Sequence, residues 1–236
     1  MAPIKEKKMI TNETLVNLYE RCLYAKYQHV ENDGDFAFQR EGDTLYFLLQ
    51  WSHGGADWRN NFDFPAKPYK DMEKKWMCHR GFLRVWKSIK PYVKQTIADP
   101  SVKKIIVVGY SHGGALAALA HEYVWFNRPD LRDENLESYG FGAPRVFFGW
   151  HIDKELKERW KHFHPIRNRN DLVTHVPPVL FGFRHVNKVT TITSELVEKP
   201  FKLDCINSHC AKNYINSLHA LTTDACHGEE EKEENK

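Results

Sequence analysis

No run of apolar residues in the 236-residue sequence approaches the length needed to cross a bilayer. The first residues, MAPIKEKKMITNETLVNLYERC, place charges where a secretory signal needs an apolar core. These two absences lead to the expectation of a soluble, cytoplasmic chain without stable membrane insertion. An excess of one charge is lacking as well: 34 Lys and Arg against 31 Asp and Glu leave a formal +3, and beyond Lys5 to Lys8 the basic residues form no block. Neither a nucleic-acid partner nor an anionic membrane is implied by that pattern. Cysteine is sparse, and the 5 present are an odd, widely spaced set that reads as free thiols in a reducing compartment. Cys205 and Cys210 are near enough in sequence to bridge, but nothing requires it. No Cys/His set has zinc-ligand spacing and no Gly-rich loop is built to cradle phosphate, so neither a metal nor a cofactor is expected.

What is present suffices for one packed domain. Apolar residues make up 42% of the chain, enough at this length for a core that needs no disulfide. Thr11 to Tyr27 reads as an amphipathic helix, with Leu15, Leu18, Cys22 and Ala25 at helical spacing behind a Thr11/Asn12 cap. DFAFQR and TLYFLL flank Glu41-Gly42-Asp43, the composition of a hairpin. A helix is predicted over Gly81 to Ile97, with Phe82, Val85, Trp86, Ile89 and Val93 on one face, followed by the β-branched run KKIIVVG, suited to a strand buried on both faces. Then come a helix rich in small residues, GGALAALAHEYVWF, strand candidates at Glu137 to Gly142, Arg159 to Pro165 and Arg184 to Ile192, and a charged helix from Trp150 to Lys157. Alternation of strands and helices predicts an α/β fold over residues 1–222. Residues 223–236, rich in Glu, read as an unpacked tail.

Chemistry concentrates at Gly109-Tyr110-Ser111-His112-Gly113. A serine between a buried strand and a helix is presented on a sharp turn that tolerates no Cβ at the flanking glycine positions. The backbone N–H of His112 then points at the position of an oxyanion, and the helix N-terminus favours that charge. A chance match to the pentapeptide in such a chain is roughly a one-in-ten event, so the flanking strand and helix carry the reading. Around such an elbow the partners follow in the order acid, then histidine. Asp130, Asp133 and Asp153 fall in charged surface patterns. Asp171 sits on a loop at the end of a strand candidate, with Asp204 as the alternative. Among 13 histidines, His175 is too near Asp171 in the same loop, His185 lies in a strand candidate, and His219 and His227 lie in a helix and in the tail. His209 remains, in a loop ahead of a helix.

With these residues in place, the sequence resembles the class 3, or fungal-type, lipases. VVGYSHGGALAALA is similar to their nucleophile segment, SYGFGAPRVF to the next strand, RNRNDLVTHVPP to the acid loop and SHCAKNYI to the histidine segment, while CHRGFLRVW resembles the stretch before the elbow. The matches run from about residue 40 to 218. The resemblance implies an α/β-hydrolase fold, a mostly parallel sheet flanked by helices. It also implies an esterase or lipase activity with Ser111, Asp171 and His209 as triad, and Ser52 beside His112 as oxyanion donor. Gln50-Trp51 replaces the family's Arg-Gly ahead of Ser52, which leaves His53 as an alternative donor, and Tyr110 and His112 replace the usual His and Leu. A lid, with transient contact to a lipid interface, is implied within Trp58 to Met77. There the aromatics are mixed with lysines, which favours a soluble ester or monoacyl lipid over emulsified fat. The same triad also serves thioesterases, amidases and acyltransferases, and an inactive binding protein keeps the same fold. The sequence does not fix the oligomeric state.

Overall fold

The computed structural model describes residues 10–31, 34–50, 65–70 and 76–233, the side chains of the last stretch as far as Thr223. Helix α1 (Asn12–Leu23) starts where the cap was expected, with the Thr11 side chain accepting from the Thr14 N–H. It ends four residues before Tyr27. Strands β1 (Gln28–Val30), β2 (Gly34–Glu41) and β3 (Thr44–Gln50) follow, and the β2–β3 hairpin turns at Gly42, whose φ of 59° suits glycine. Two short strands, β4 (Ala66–Tyr69) and β5 (Trp76–His79), lead into helix α2 (Arg80–Ile97).

The centre of the molecule is strand β6 (Lys104–Tyr110) and helix α3 (His112–Asn127). Strand β7 (Leu136–Phe141), strand β8 (Phe147–Phe148), helix α4 (Lys154–Arg159) and strand β9 (Phe163–Asn168) come next, then β10 (Phe183–Arg184), β11 (Thr190–Ile192) and helices α5 (Asp204–Asn207) and α6 (Ala211–Glu233). The main sheet has the order β1-β2-β3-β6-β7-β9-β11. Its first three strands are antiparallel, and from β3 to β11 each neighbour is parallel. A second, antiparallel sheet has the order β10-β8-β5-β4. This is the α/β-hydrolase architecture that the resemblance implied.

Both faces of the main sheet are covered, as the β6 sequence demands. Ile105 and Val107 enter a core with Phe82, Trp86 and Leu116 from α2 and α3. Val108 and Tyr110 enter the other, with Leu18, Tyr19 and Tyr214 from α1 and α6. Helix α3 is buried on every side from His112 to Trp125, so its polar residues must find partners inside. His121 does so through Ser138 Oγ and the Arg159 carbonyl, both at 2.8 Å. Glu122 is bonded by Arg159 Nε at 3.0 Å and Nη2 at 2.8 Å; removing either partner would strand a buried charge, at a cost of about 3–5 kcal/mol.

Two strand expectations are displaced, and each shift has a local cause. Arg159, expected to open a strand, closes α4 because its guanidinium is held by Glu122 and Glu155, and β9 begins at Phe163. The stretch Arg184 to Ile192 is shared between sheets: Phe183–Arg184 pairs with β8 and Thr190–Ile192 with β9. Between them Asn187 donates to the carbonyls of Trp160 and Phe163. The backbone of α6 follows a helical path to Glu233, past residue 222, where the packed domain was expected to stop.

Burial holds the imidazole of His112 down to about pKa 3, helped by the charge of His79, and those of His121 and His185 to about 4. The unfolded chain therefore binds more protons than the folded one below the ordinary histidine value of 6.5. Stability present above pH 6.5 is lost as pH falls toward 4. Urea-unfolding midpoints should drop between about pH 7 and pH 5, and His185→Gln should flatten that slope.

Candidate active site

The elbow between β6 and α3 is set by backbone contact. A Cβ on Gly109 would lie 2.1 Å from the Gly113 carbonyl oxygen, and one on Gly113 would lie 2.1 Å from the Leu49 carbonyl oxygen. Only glycine allows this approach. Between them Ser111 takes φ 56° and ψ −123°, an unfavourable region for an L-residue that costs on the order of 1–3 kcal/mol. Its N–H donates to the Phe141 carbonyl at 2.9 Å, which ties the turn to the end of β7.

The Ser111 side chain meets His209, with Oγ 2.8 Å from Nε2, and His209 Nδ1 lies 2.8 Å from Asp171 Oδ2. Asp171 is fully buried beyond the C-terminal end of β9. Its Oδ1 accepts the Val173 N–H at 2.9 Å and its Oδ2 accepts the Tyr214 hydroxyl at 2.6 Å. A carboxylate filled with donors can only accept, so the imidazole proton sits on Nδ1 and Nε2 is left to accept from Ser111. The order along the chain is the one expected from the elbow.

His209 lies between α5 and α6, as a loop residue must to reach both partners. Asn168 Nδ2 donates to the Ser208 carbonyl at 2.8 Å, and the Tyr110 hydroxyl donates to the His209 carbonyl. The Tyr110 ring stacks on the imidazole, centroids 5.5 Å apart. Tyr110 therefore fixes the position of the His209 ring.

The alternatives fall elsewhere. Asp204 opens α5 and faces Lys199 and Asn207. His175 bonds its ring to the Asp171 backbone carbonyl at 3.0 Å and lies 2.9 Å from Arg167. His185 is half-buried, its Nε2 2.8 Å from the Thr174 carbonyl oxygen, and His219 sits beside Glu20 on the surface. His112 is the first residue of α3, where backbone N–H groups have no helical acceptor, and its imidazole packs edge-on against Phe82. Ser52 and His53, with most of the Trp58 to Met77 stretch, lie outside the described residues. Cys205 and Cys210 are free thiols.

Similarity to known proteins agrees with this geometry. The sequence pattern of the family described as "Lipase (class 3)" matches residues 46–181, more than half of the chain. The chain belongs to the class 3 lipases. Among this family, the "Lipase" of Rhizopus niveus is 29% identical over 182 residues, covering 70% of this chain and 44% of that protein. The "Secreted mono- and diacylglycerol lipase 1" of Fusarium solani is 30% identical over 141 residues, covering 56% of this chain and 38% of that protein. The chain thus spans less than half the length of these curated relatives. In three dimensions it is similar to lipase II from Rhizopus niveus, with a TM-score of 0.61 and 25% identity over 82% of this chain and 77% of that one. Secretion of such relatives overturns the expectation of a cytoplasmic class 3 lipase. That expectation rested on the charged first residues, the lack of a membrane-length apolar run and the scattered thiols, none of which reports the compartment of a chain that spans less than half of its relatives' length.

Tyr214 is the site residue that sequence reasoning missed. At helical spacing in an apolar stripe it reads as core, which it also is. Its hydroxyl both donates to Asp171 and accepts the Asn168 N–H at 3.0 Å. Tyr214→Phe leaves both groups short of a partner, and urea unfolding should register a loss of about 1–3 kcal/mol.

Proposed function

We propose that this class 3 lipase is a serine hydrolase of carboxylic esters, acting outside the cell on acylglycerols or smaller acyl esters. Ser111 serves as nucleophile, His209 as general base and Asp171 as the acid that orients it. The observation that carries the reading is the pair of 2.8 Å hydrogen bonds linking Ser111 to His209 and His209 to Asp171 at a strained strand-to-helix turn. The names of the relatives support the substrate class, and that of the Fusarium solani protein supports action outside the cell.

In this mechanism His209 Nε2 takes the Ser111 proton as Oγ attacks the ester carbonyl carbon. The oxyanion that forms is received by the His112 N–H at the start of α3, where the helix dipole favours negative charge, with Ser52 as the second donor. Buried Asp171 stabilises the imidazolium. Collapse of the tetrahedral intermediate passes the proton from His209 to the departing alkoxide and leaves an acyl group on Ser111. Water, activated by the same imidazole, then releases the acid and restores the hydroxyl.

Ser111→Ala should lower kcat for p-nitrophenyl esters by about 10⁴ to 10⁶ without unfolding the chain. Asp171→Asn should cost about 10⁴, because the amide favours the wrong imidazole tautomer. A fluorophosphonate should label Ser111. Folded protein that forms no adduct, or an alanine variant with most of its turnover, would overturn the assignment.

A further inference from the structure

Basic residues that are scattered along the sequence gather at one place in the fold. Arg145, Lys157, Arg184 and Lys188 line a cleft of about 510 Å³, and among the described residues no carboxylate stands in its walls. Burial and the nearby charges of Arg167 and Arg184 hold the Arg145 guanidinium below its ordinary pKa. Among the described residues, no carboxylate lies within ion-pair distance of Arg145, Arg167 or Arg184. Like charges held this close are unfavourable until a counter-charge arrives from outside.

The same cleft borders an exposed apolar tip. Val179 lines the cleft and opens the turn Val179–Phe181, in which Leu180 is 81% and Phe181 56% exposed. Trp150, 67% exposed, stands next to it with the Arg184 guanidinium 5.8 Å above its ring. The tip is held firmly: the Gly149 N–H donates to the Gly182 carbonyl at 2.9 Å, Arg184 Nε to the Gly149 carbonyl at 3.2 Å, and Arg145 Nη1 to the Pro177 carbonyl at 2.9 Å. Large apolar side chains are thus presented to water on a fixed base ringed by cations. That pairing suits a surface of acyl chains beneath phosphate groups, and a protein partner or a free anion would use only half of it.

We propose that Trp150 and the Val179–Phe181 turn, collared by Arg145, Lys157, Arg184 and Lys188, dock the protein on an anionic phospholipid surface. The apolar side chains enter the acyl region and the cations take the phosphates. Asp171 and this turn belong to one loop, so docking brings lipid to the edge of the triad. That consequence rests on the ester-hydrolase reading, whereas the docking itself does not.

The test uses the full chain carrying Ser111→Ala, so that no lipid is consumed, sedimented with vesicles of phosphatidylcholine alone or with added phosphatidylglycerol. Binding should be at least about ten-fold stronger with phosphatidylglycerol and should weaken as salt is raised. Leu180→Ser with Phe181→Ser should weaken it about ten-fold. Lys157→Gln and Lys188→Gln should each weaken it about five-fold on phosphatidylglycerol vesicles only. The same changes placed on the Ser111 protein should leave hydrolysis of a water-soluble acetate ester unaltered. Equal binding to both vesicles, variants that bind like the parent, or displacement by inorganic phosphate at constant ionic strength would each overturn the proposal, the last by making the cleft a soluble-anion site. A Ser111 protein that binds anionic vesicles but cleaves no ester sinks the hydrolase reading and leaves the docking surface standing.

Discussion

The approach of helix α3 to the end of strand β6 is the constraint on which the rest of the structure depends. Gly109 meets the Gly113 carbonyl and Gly113 meets the Leu49 carbonyl at distances where any Cβ would collide. A chain forced through so tight a turn has one residue left at positive φ, and that residue is Ser111. The hydroxyl projects from the turn because the backbone cannot relax. The small residues of α3 follow from the same requirement, since Gly114 already stands where a Cβ would lie 2.7 Å from Cβ of Ala143.

Around that turn, the buried polar residues of the site are tied into hydrogen bonds. Asp171, Asn168 and Asn207 are fully enclosed: Tyr214 and His209 serve Asp171, Asn168 donates to the Ser208 carbonyl, and Asn207 donates to the Phe201 carbonyl. A second enclosed set, Glu122 with Arg159 and His121 with Ser138, ties α3 to α4 and β7 on the other face of the sheet. Burial strengthens hydrogen bonds and raises the cost of leaving one unmade. The same networks therefore fix the site geometry and make the fold sensitive to protonation.

The sequence was most legible where a local pattern had one structural solution. The Thr11 cap, the hairpin at Gly42, helix α2 and the elbow all formed close to where their residues predicted. It was least legible where residues serve partners far along the chain. Arg184 to Ile192 looks like one strand but feeds two sheets, and Arg159 looks like the start of a strand but answers Glu122. The antiparallel sheet of β4, β5, β8 and β10 pairs short strands from widely separated segments, so no local periodicity announces it. Compartment was misjudged because charged first residues and the lack of a membrane-length apolar run carry no address.

By itself the sequence determined the α/β alternation, the elbow at Ser111 and the order in which acid and base must follow, because glycine sterics and side-chain periodicity act over a few residues. Only the tertiary structure decided that Asp171 and not Asp204 meets His209 beside that serine, that Tyr110 and Tyr214 hold them, and that separate arginines and lysines share one cleft. Those outcomes depend on contacts between residues tens of positions apart, and their distances are fixed only when the sheet and its helices pack.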